Sequence, residues 1–353
     1  MIKPVYIRSA RAICAQDTFT GNCLPKELTD AVNNALSYNH PDYSRYFSIM
    51  QLRRMGRLTK TGMVAAIECL RDAGISHPDA IITGTGKGSM SDTEKFMGNI
   101  REFHEGTLNP TPFIQSTYNS LNGLIGLHHG TSCYNTTYVH RGFSLEHSLL
   151  DAMLLFSEGR AKNALAGSFE EMTPEHFIIK KKLGYWKEAP VSCMDLLRSG
   201  TSGSISGEGT FFFLLQDSES NAMARLDGIR ILFEPTLQEL TVEAGRFLKE
   251  HGLAWADIDI LLSGENGDIR FGDYYKTISA EIPERAHHLA FKHVCGEFDT
   301  AAGFALWQAA HILERQEVPD VLQLRKGTAG NIRHLLIYNN YYGKQHAFYL
   351  LGV

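Results

Sequence analysis

The sequence DAIITGTGKG at residues 79–88 has the pattern of a buried strand that ends in a glycine turn. The same pattern returns about 180 residues later as DIDILLSGENGD, at residues 257–268. Each copy follows a segment with helical periodicity, at residues 59–73 and 242–251. Strands that alternate with helices predict an α/β architecture, and a repeat at half the chain length indicates a duplicated unit.

The composition is that of a globular protein. Of the 353 residues, 43% are hydrophobic and 21% are charged, which excludes disordered and fibrous classes. The net charge is −5 and no Lys/Arg-rich run occurs, so neither nucleic acid nor an anionic membrane is expected as the main partner. No apolar stretch approaches the ~20 residues of a membrane span.

The N-terminus and the cysteines indicate a cytoplasmic protein. Residues 1–8, MIKPVYIR, are predicted to form a first strand, because an arginine interrupts any apolar core that a signal peptide needs. The six cysteines contain no C-x-x-C pair, which predicts reduced thiols and no structural metal. They are Cys14, Cys23, Cys69, Cys133, Cys193 and Cys295. We expect no metal ion or other cofactor.

Residues 144–158 form the most apolar helix candidate, with so few polar positions that burial on all faces is expected. This helix would begin just after Arg141-Gly142-Phe143 and aim the positive end of its dipole into the interior. An activated nucleophile or an acyl carbonyl could lie there. The alternative is a plain core helix.

Five segments match, in order, the motifs of a known family, and they are spread over about 250 residues. They are RRMGR at 53–57, GTG at 84–86, NSLNG at 119–123, GEGTFFFLL at 207–215 and TAAG at 300–303. On these motifs the chain resembles the β-ketoacyl synthases of the thiolase superfamily from end to end. The resemblance implies a thiolase-like α/β fold with two duplicated halves in one body, here residues 1–217 and 218–353. It also implies a dimer, since strands beside the nucleophile helix pair across a two-fold axis in this family.

The resemblance also implies a catalytic cysteine and two histidines, and this chain lacks all three. Counting from the family's conserved glycines places Gly142 at the nucleophile position. The histidine positions are occupied by Glu265 and Glu297, whereas Lys292 matches a family lysine. Without a thiolate to accept the acyl group, the family's condensation chemistry has no nucleophile.

The two carboxylates allow two interpretations. If they face one site, their repulsion raises at least one pKa, a pattern used for acid–base work. Alternatively, one or both pair with Arg141, Lys292 or Arg270 and only hold the fold together.

Other candidate groups lie near the nucleophile position. His140 is the nearest protonatable side chain and a candidate catalytic residue, although a core histidine is the simpler interpretation. Ser144 is expected to cap the buried helix, and Cys133 to be a small buried thiol. Phe143 and Ser144 are candidate substrate-binding residues. Tyr341 and Tyr342 join them, because they lie in the closing segment that replaces the family's Phe-Gly-Phe-Gly-Gly gating loop.

Two segments, residues 111–118 and 138–143, resemble the ketosynthase-like proteins of aryl polyene and flexirubin-type pigment clusters. This resemblance implies acyl carrier protein as a partner. The leading hypothesis is a non-condensing, chain-length-factor-type subunit that pairs with an active ketosynthase and shapes its acyl pocket. The alternatives are an enzyme with altered acyl-thioester chemistry, using His140 with Glu265 or Glu297, and a homodimeric acyl-binding scaffold.

Overall fold

The computed structural model describes residues 3–20, 27–104 and 106–353, so Cys23 and the first two residues of the predicted N-terminal strand lie outside the described residues. The strands are β1 Val5–Cys14, β2 Ala80–Gly84, β3 Tyr134–Tyr138, β4 Asn163–Glu170, β5 Gly209–Gln216, β6 Ala224–Phe233, β7 Ile260–Ser263, β8 His287–Ala290, β9 Gln323–Arg325, β10 His334–Tyr341 and β11 Gln345–Gly352. The helices are α1 Ile49–Arg54, α2 Arg57–Ala73, α3 Met90–Glu102, α4 Pro110–Ser116, α5 Ser120–His129, α6 Ser144–Ser157, α7 Pro174–Lys182, α8 Leu237–Glu250, α9 Gly272–Ser279, α10 Lys292–Cys295 and α11 Ala302–Arg315.

The strand order repeats. The sheet runs β3-β2-β4-β5-β1-β6-β11-β10-β7-β8-β9. Its first five strands and the run β8-β7-β10-β11-β6 follow one connectivity, with β2 and β7 as equivalent strands. Only a short antiparallel pairing joins the two runs, from Val5–Leu226 to Ile7–Ala224. The topology is therefore a duplicated α/β unit, and the division at residue 217/218 stays a proposal.

The two outer helices, α2 and α8, cover the two halves separately. The first ends at Gly74, whose left-handed conformation (φ 68°) terminates the helix. The second begins with a capping box between Thr236 and Glu239. Each buries one apolar face against its own sheet, α2 on Phe212 and α8 on Phe348. Local sequence signals thus set the C-terminal end of α2 and the N-terminal end of α8.

The two inner helices, α6 and α11, lie in the shared core. Leu149 of α6 and Phe304 of α11 belong to one apolar cluster that also contains residues from the strands of both halves. The molecule is therefore layered: the first outer helix, the first run of strands, the two inner helices, the second run of strands and the second outer helix. Both inner helices begin at the centre, where a site can be shielded from water.

The expectation that α6 is buried on all faces is wrong. Leu154 is 46% exposed, and Leu150 is only partly buried. The reason is position, because α6 packs beside β3 at the edge of the sheet. Within the described ranges, no helix has both the length and the apolar character required to cross a membrane.

Candidate functional site

The turn between β3 and α6, residues 141–143, forms a sharp elbow at the start of the central helix. Arg141 has a left-handed backbone (φ 53°), which costs a residue with a Cβ roughly 1–2 kcal/mol. Ser144 is the first residue of α6, and Phe143 takes the cap position, so the predicted capping role of Ser144 is wrong. Its buried hydroxyl instead accepts a hydrogen bond from the His140 N–H (2.8 Å) and lies within donating distance of the Arg141 (2.8 Å) and Thr85 (3.0 Å) carbonyls. These bonds hold the strained turn in place.

No side chain fits at Gly142 as the structure stands. A Cβ placed there would lie 2.6 Å from the Cβ of Tyr341 and 3.0 Å from Oε1 of Gln345. The amide N–H of Gly142 already donates to that same Gln345 oxygen, at 2.8 Å. The nucleophile position is therefore filled by its neighbours, and its amide is not free to bind an acyl oxygen.

The β10–β11 hairpin delivers the filling side chains. Tyr342 (φ 52°) and Gly343 (φ 70°) are both left-handed, and the Gly343 N–H donates to Oδ1 of Asn340 at 2.7 Å. The Tyr341 hydroxyl donates to Asp299 at 2.9 Å. Tyr341 is thus clamped at its backbone by the hairpin and at its hydroxyl by a buried carboxylate.

Of the two glutamates at the histidine positions, Glu297 is fully buried and fully partnered. Its carboxylate receives hydrogen bonds from the Lys292 ammonium at 2.8 and 3.0 Å and from the Asn266 amide at 2.7 Å. The same ammonium also donates to the Asn340 carbonyl, at 2.9 Å. Lys292 and Glu297 are both 0% exposed, so the ion pair is a structural unit beneath the hairpin.

Glu265 does not join that pair. Its carboxylate lies 3.2 Å from the His288 ring nitrogen and accepts from the Ser263 hydroxyl at 3.2 Å. The next residue, Asn266, is the one that contacts Glu297. The two glutamates therefore have different partners, since Glu297 is paired with Lys292 and Glu265 lies against His288.

A second buried charge cluster lies between the elbow and the start of α11. Lys87 is paired with Asp299, and Arg141 approaches the same carboxylate at 3.9 Å. Burial alone would raise the pKa of Asp299, but the charges of Lys87 and Lys180 outweigh it and hold this pKa below its ordinary value. The pKa of Glu170 is raised to about 8, mainly by burial and to a smaller extent by repulsion from Asp299. This carboxyl accepts from the Gly86 amide and the Thr85 hydroxyl.

Two cavities of about 750 Å³ each open beside this cluster. We call the first the tyrosine cavity, because Tyr185, Tyr341 and Tyr342 line it. The second, the outer cavity, is lined by Tyr118 and Val139 among others. Lys87, Arg141 and His176 line both cavities and therefore mark where the two approach each other.

The predicted site residues divide into two groups. His140, Tyr341 and Tyr342 line the tyrosine cavity. Phe143 and Ser144 are buried beneath the elbow and do not line the cavities described here. His140 is exposed, and its Nδ1 lies 2.8 Å from Nε2 of His147, so it faces another histidine and neither of the two glutamates.

Several residues of the site were not predicted from the sequence, among them Lys87, Lys180, Asp299 and Gln345. Lys87 stands inside the glycine turn at residues 84–88, where a charge next to a buried strand was a usable signal. Gln345 and Lys180 carry no such signal, because Gln345 is buried by contact with the distant elbow and Lys180 by the rings of Tyr185, Trp186 and Tyr342. No group of three or more potential metal-ligating side chains occurs in the part of the chain that the structure describes.

One protein-family model matches the chain, and solved structures of low sequence identity share its fold. The family model for the N-terminal domain of β-ketoacyl synthases matches residues 30–227. The ishigamide ketosynthase/chain length factor superposes with a TM-score of 0.81 at 15% identity, over 100% of both chains. A β-ketoacyl synthase from Burkholderia phymatum STM815 gives 0.78 at 14% identity, over 99% of both chains.

A third solved structure is a type II polyketide synthase acyl carrier protein in complex with its ketosynthase bound to the hexaketide. It gives a TM-score of 0.76 at 12% identity, over 100% of both chains. No curated protein matches the sequence. At these identities the likeness establishes the fold, and the predicted thiolase-like fold with two duplicated α/β halves is confirmed.

Proposed function

The chain belongs to the β-ketoacyl synthase family, and from that premise we propose that it is a non-condensing subunit of acyl-carrier-protein-dependent biosynthesis. It acts in fatty acid or polyketide assembly of the aryl polyene type, in the manner of a chain-length factor. It pairs with an active ketosynthase and shapes the pocket that receives the growing acyl chain. The observation that carries this proposal is the filled position at Gly142, where Tyr341 and Gln345 occupy the space of a nucleophile.

The remaining thiols support a protein without a catalytic cysteine. Burial raises the pKa of Cys14 to about 11 and that of Cys69 to about 12, so both stay protonated near neutral pH. Cys133 precedes β3, whereas the elbow follows the other end of this five-residue strand, roughly 16 Å away by strand rise. The described cysteines are all free, which supports the cytoplasm as the location.

The tyrosine cavity supports binding of an acyl chain on a carrier. Its walls combine the rings of Tyr185, Tyr342 and Phe271 with cationic groups at the rim. Arg141 is among the exposed cations, and Lys344 is another, although a 2.8 Å contact pairs it with Glu234. An apolar chain ending in a phosphate-bearing arm matches such a lining.

The edge of the sheet supports a dimer. Strand β3 is the last strand on its side, so one row of its backbone groups has no partner among the described strands. Exposed apolar side chains surround it, including Tyr134, Val139 and, on the neighbouring helix α6, Leu154. We propose this edge as the contact with the active ketosynthase, or with a second copy of the chain.

Intact-protein mass spectrometry tests the proposal. The chain is incubated with octanoyl acyl carrier protein, alone and co-purified with a ketosynthase encoded next to it. We expect the two proteins to co-purify and the octanoyl group to appear only on the partner. A partner whose catalytic cysteine is changed to alanine is the control, and it should carry no acyl group.

Two results overturn the proposal, and they are distinguishable. An octanoyl group on this chain alone favours the enzyme with altered acyl-thioester chemistry. No acylation and no co-purifying ketosynthase, with a stable homodimer in solution, favours the acyl-binding scaffold.

A further inference from the structure

Lys180 is a buried amine that the proposed function does not use. It lies near the end of α7 and is 5% exposed, whereas its neighbours Lys181 and Lys182 are exposed. Its Nζ atom has no hydrogen-bond partner among the described residues. Lysine amines that are buried for structural reasons are normally paired, as Lys292 is with Glu297. The isolation of Lys180 therefore calls for a functional explanation.

Three aromatic rings surround this amine. The Nζ atom lies 5.3 Å from the ring centres of Tyr185 and Trp186 and 5.5 Å from that of Tyr342. Burial lowers the pKa of Lys180 to about 8, although Asp299 opposes this shift. Compared with an ordinary lysine of pKa 10.5, this gives a roughly 300-fold larger neutral fraction at pH 7. A neutral amine is the nucleophilic form.

Lys180 lies in the wall of the tyrosine cavity, with its Nζ atom buried beneath the surrounding rings, so a ligand in the cavity reaches the amine by displacing a ring. Lys180 lines this cavity together with Tyr341, whose Cβ fills the former nucleophile position. The apolar part of the wall includes Ile179, Leu183 and Phe233. A ligand that suits these walls has a long apolar or conjugated body and an anionic end for the cations of the rim.

We propose that Lys180 is a covalent binding site for conjugated aldehydes and ketones that enter the tyrosine cavity. The lone pair of the Nζ atom attacks the carbonyl carbon, and the π electrons of the C=O bond move to oxygen. A proton passes from nitrogen to that oxygen to give a carbinolamine, which then expels water as the C=N bond forms. The products are an imine and one water molecule, so no oxidant or reductant is needed.

Tyr342 is placed to assist this step. Its hydroxyl is buried and has no hydrogen-bond partner among the described residues. Its ring centre lies 5.5 Å from the Nζ atom, so the two residues line the same part of the tyrosine cavity. A hydroxyl there can donate to the developing oxyanion and to the departing water. Tyr342 is thus a positioning and donor group for imine formation.

Reductive trapping tests the inference on the full chain alone, so its outcome is independent of any ketosynthase partner. The probe is 4-carboxycinnamaldehyde, a conjugated aldehyde with a carboxylate end, in the presence of cyanoborohydride. We expect one adduct by intact mass, located on Lys180 by peptide mapping. Its rate should rise between pH 7 and 9, as the neutral fraction of a group with a pKa near 8 does.

The matched variants are Lys180→Met and Lys182→Met, which remove a buried and an exposed lysine from the same helix. Lys180→Met should lose at least nine-tenths of the adduct, and Lys182→Met should lose none. Tyr342→Phe should keep the adduct but form it several-fold more slowly. Lys180→Arg retains the charge and cannot form an imine, and it replaces Lys180→Met if that variant does not fold. Labelling spread over surface lysines, or an unchanged adduct in these Lys180 variants, would overturn the proposal.

Discussion

The two walls of the tyrosine cavity differ in how their polar groups are satisfied. On the wall near the elbow, the Gly142 amide is bonded to Gln345, and the Lys292 ammonium behind the hairpin is bonded to Glu297. On α7, the Lys180 amine has no hydrogen-bond partner among the described residues and is surrounded by three aromatic rings, one of them Tyr342 of the hairpin. Buried polar groups with hydrogen-bond partners stabilise the fold. A buried polar group without partners costs free energy, and proteins retain such groups at functional sites. We therefore assign a structural role to the bonded groups near the elbow and propose a chemical role for Lys180.

Lys292→Met should lower the free energy of unfolding, whereas Lys180→Met should not. Lys292→Met leaves the carboxylate of Glu297 buried without its cation, and we expect a loss of about 3–5 kcal/mol in the free energy of unfolding. Lys180→Met removes an amine that has no hydrogen-bond partner and whose charge is disfavoured by burial, so near neutral pH it should lose no stability and gain up to about 3 kcal/mol. Urea unfolding of both variants measures the difference. The double variant Lys292→Met/Glu297→Met should regain most of the loss, and equal losses in the two single variants would contradict the comparison.

The buried amine of Lys180 should also make the free energy of unfolding depend on pH. Because the folded-state pKa of Lys180 is about 8 and its ordinary value is 10.5, the unfolded chain binds the proton more tightly between these values. Protonation therefore penalises the folded state below pH 8, and the penalty is relieved as the pH rises from 8 to 10.5. The relief is at most about 3 kcal/mol for a shift of this size.

Lys180→Met isolates this contribution from the tyrosines that titrate in the same range. The stability of the parent relative to this variant should rise from pH 8 to 10.5, as measured by urea unfolding at several pH values. A constant difference across that range would mean that the amine is solvated and its pKa ordinary.

A side chain at Gly142 tests whether the elbow wall is filled. Gly142→Ala places a Cβ 2.6 Å from the Cβ of Tyr341, and the overpacking should cost about 1–3 kcal/mol. Gly123→Ala is the matched control, because a Cβ there meets nothing within 4 Å and the residue lies inside helix α5. That control should be neutral or stabilising by up to about 1 kcal/mol. Thermal unfolding compares the two variants, and a neutral Gly142→Ala would show that the hairpin yields easily.

The sequence predicted the scaffold better than the site. Strand and glycine patterns indicated a duplicated α/β unit, because they follow from local chemistry, and the resemblance to the β-ketoacyl synthases implied the thiolase-like fold. Gly142 was located by counting alone, but its filled surroundings depend on Gln345, which is 203 residues away in the chain. Lys180 was invisible for the same reason, since it lies in a run of three lysines of which only one is buried. Contacts between distant segments leave no trace in a single sequence.

The smallest expected effect concerns Gln345, whose amide bridges the elbow. Its oxygen accepts from the Gly142 N–H at 2.8 Å, and its nitrogen donates to the His140 carbonyl at 3.2 Å. Gln345→Leu leaves both backbone groups without this partner and should cost about 1–2 kcal/mol. Gln345→Glu keeps the acceptor but buries a carboxylate and turns one of its oxygens toward the His140 carbonyl, so it should unfold at a temperature no higher than that of Gln345→Leu. Because neither variant touches Lys180, trapping of the aldehyde probe should be unchanged in both. A parallel loss of trapping would mean that the two walls of the cavity act as one unit.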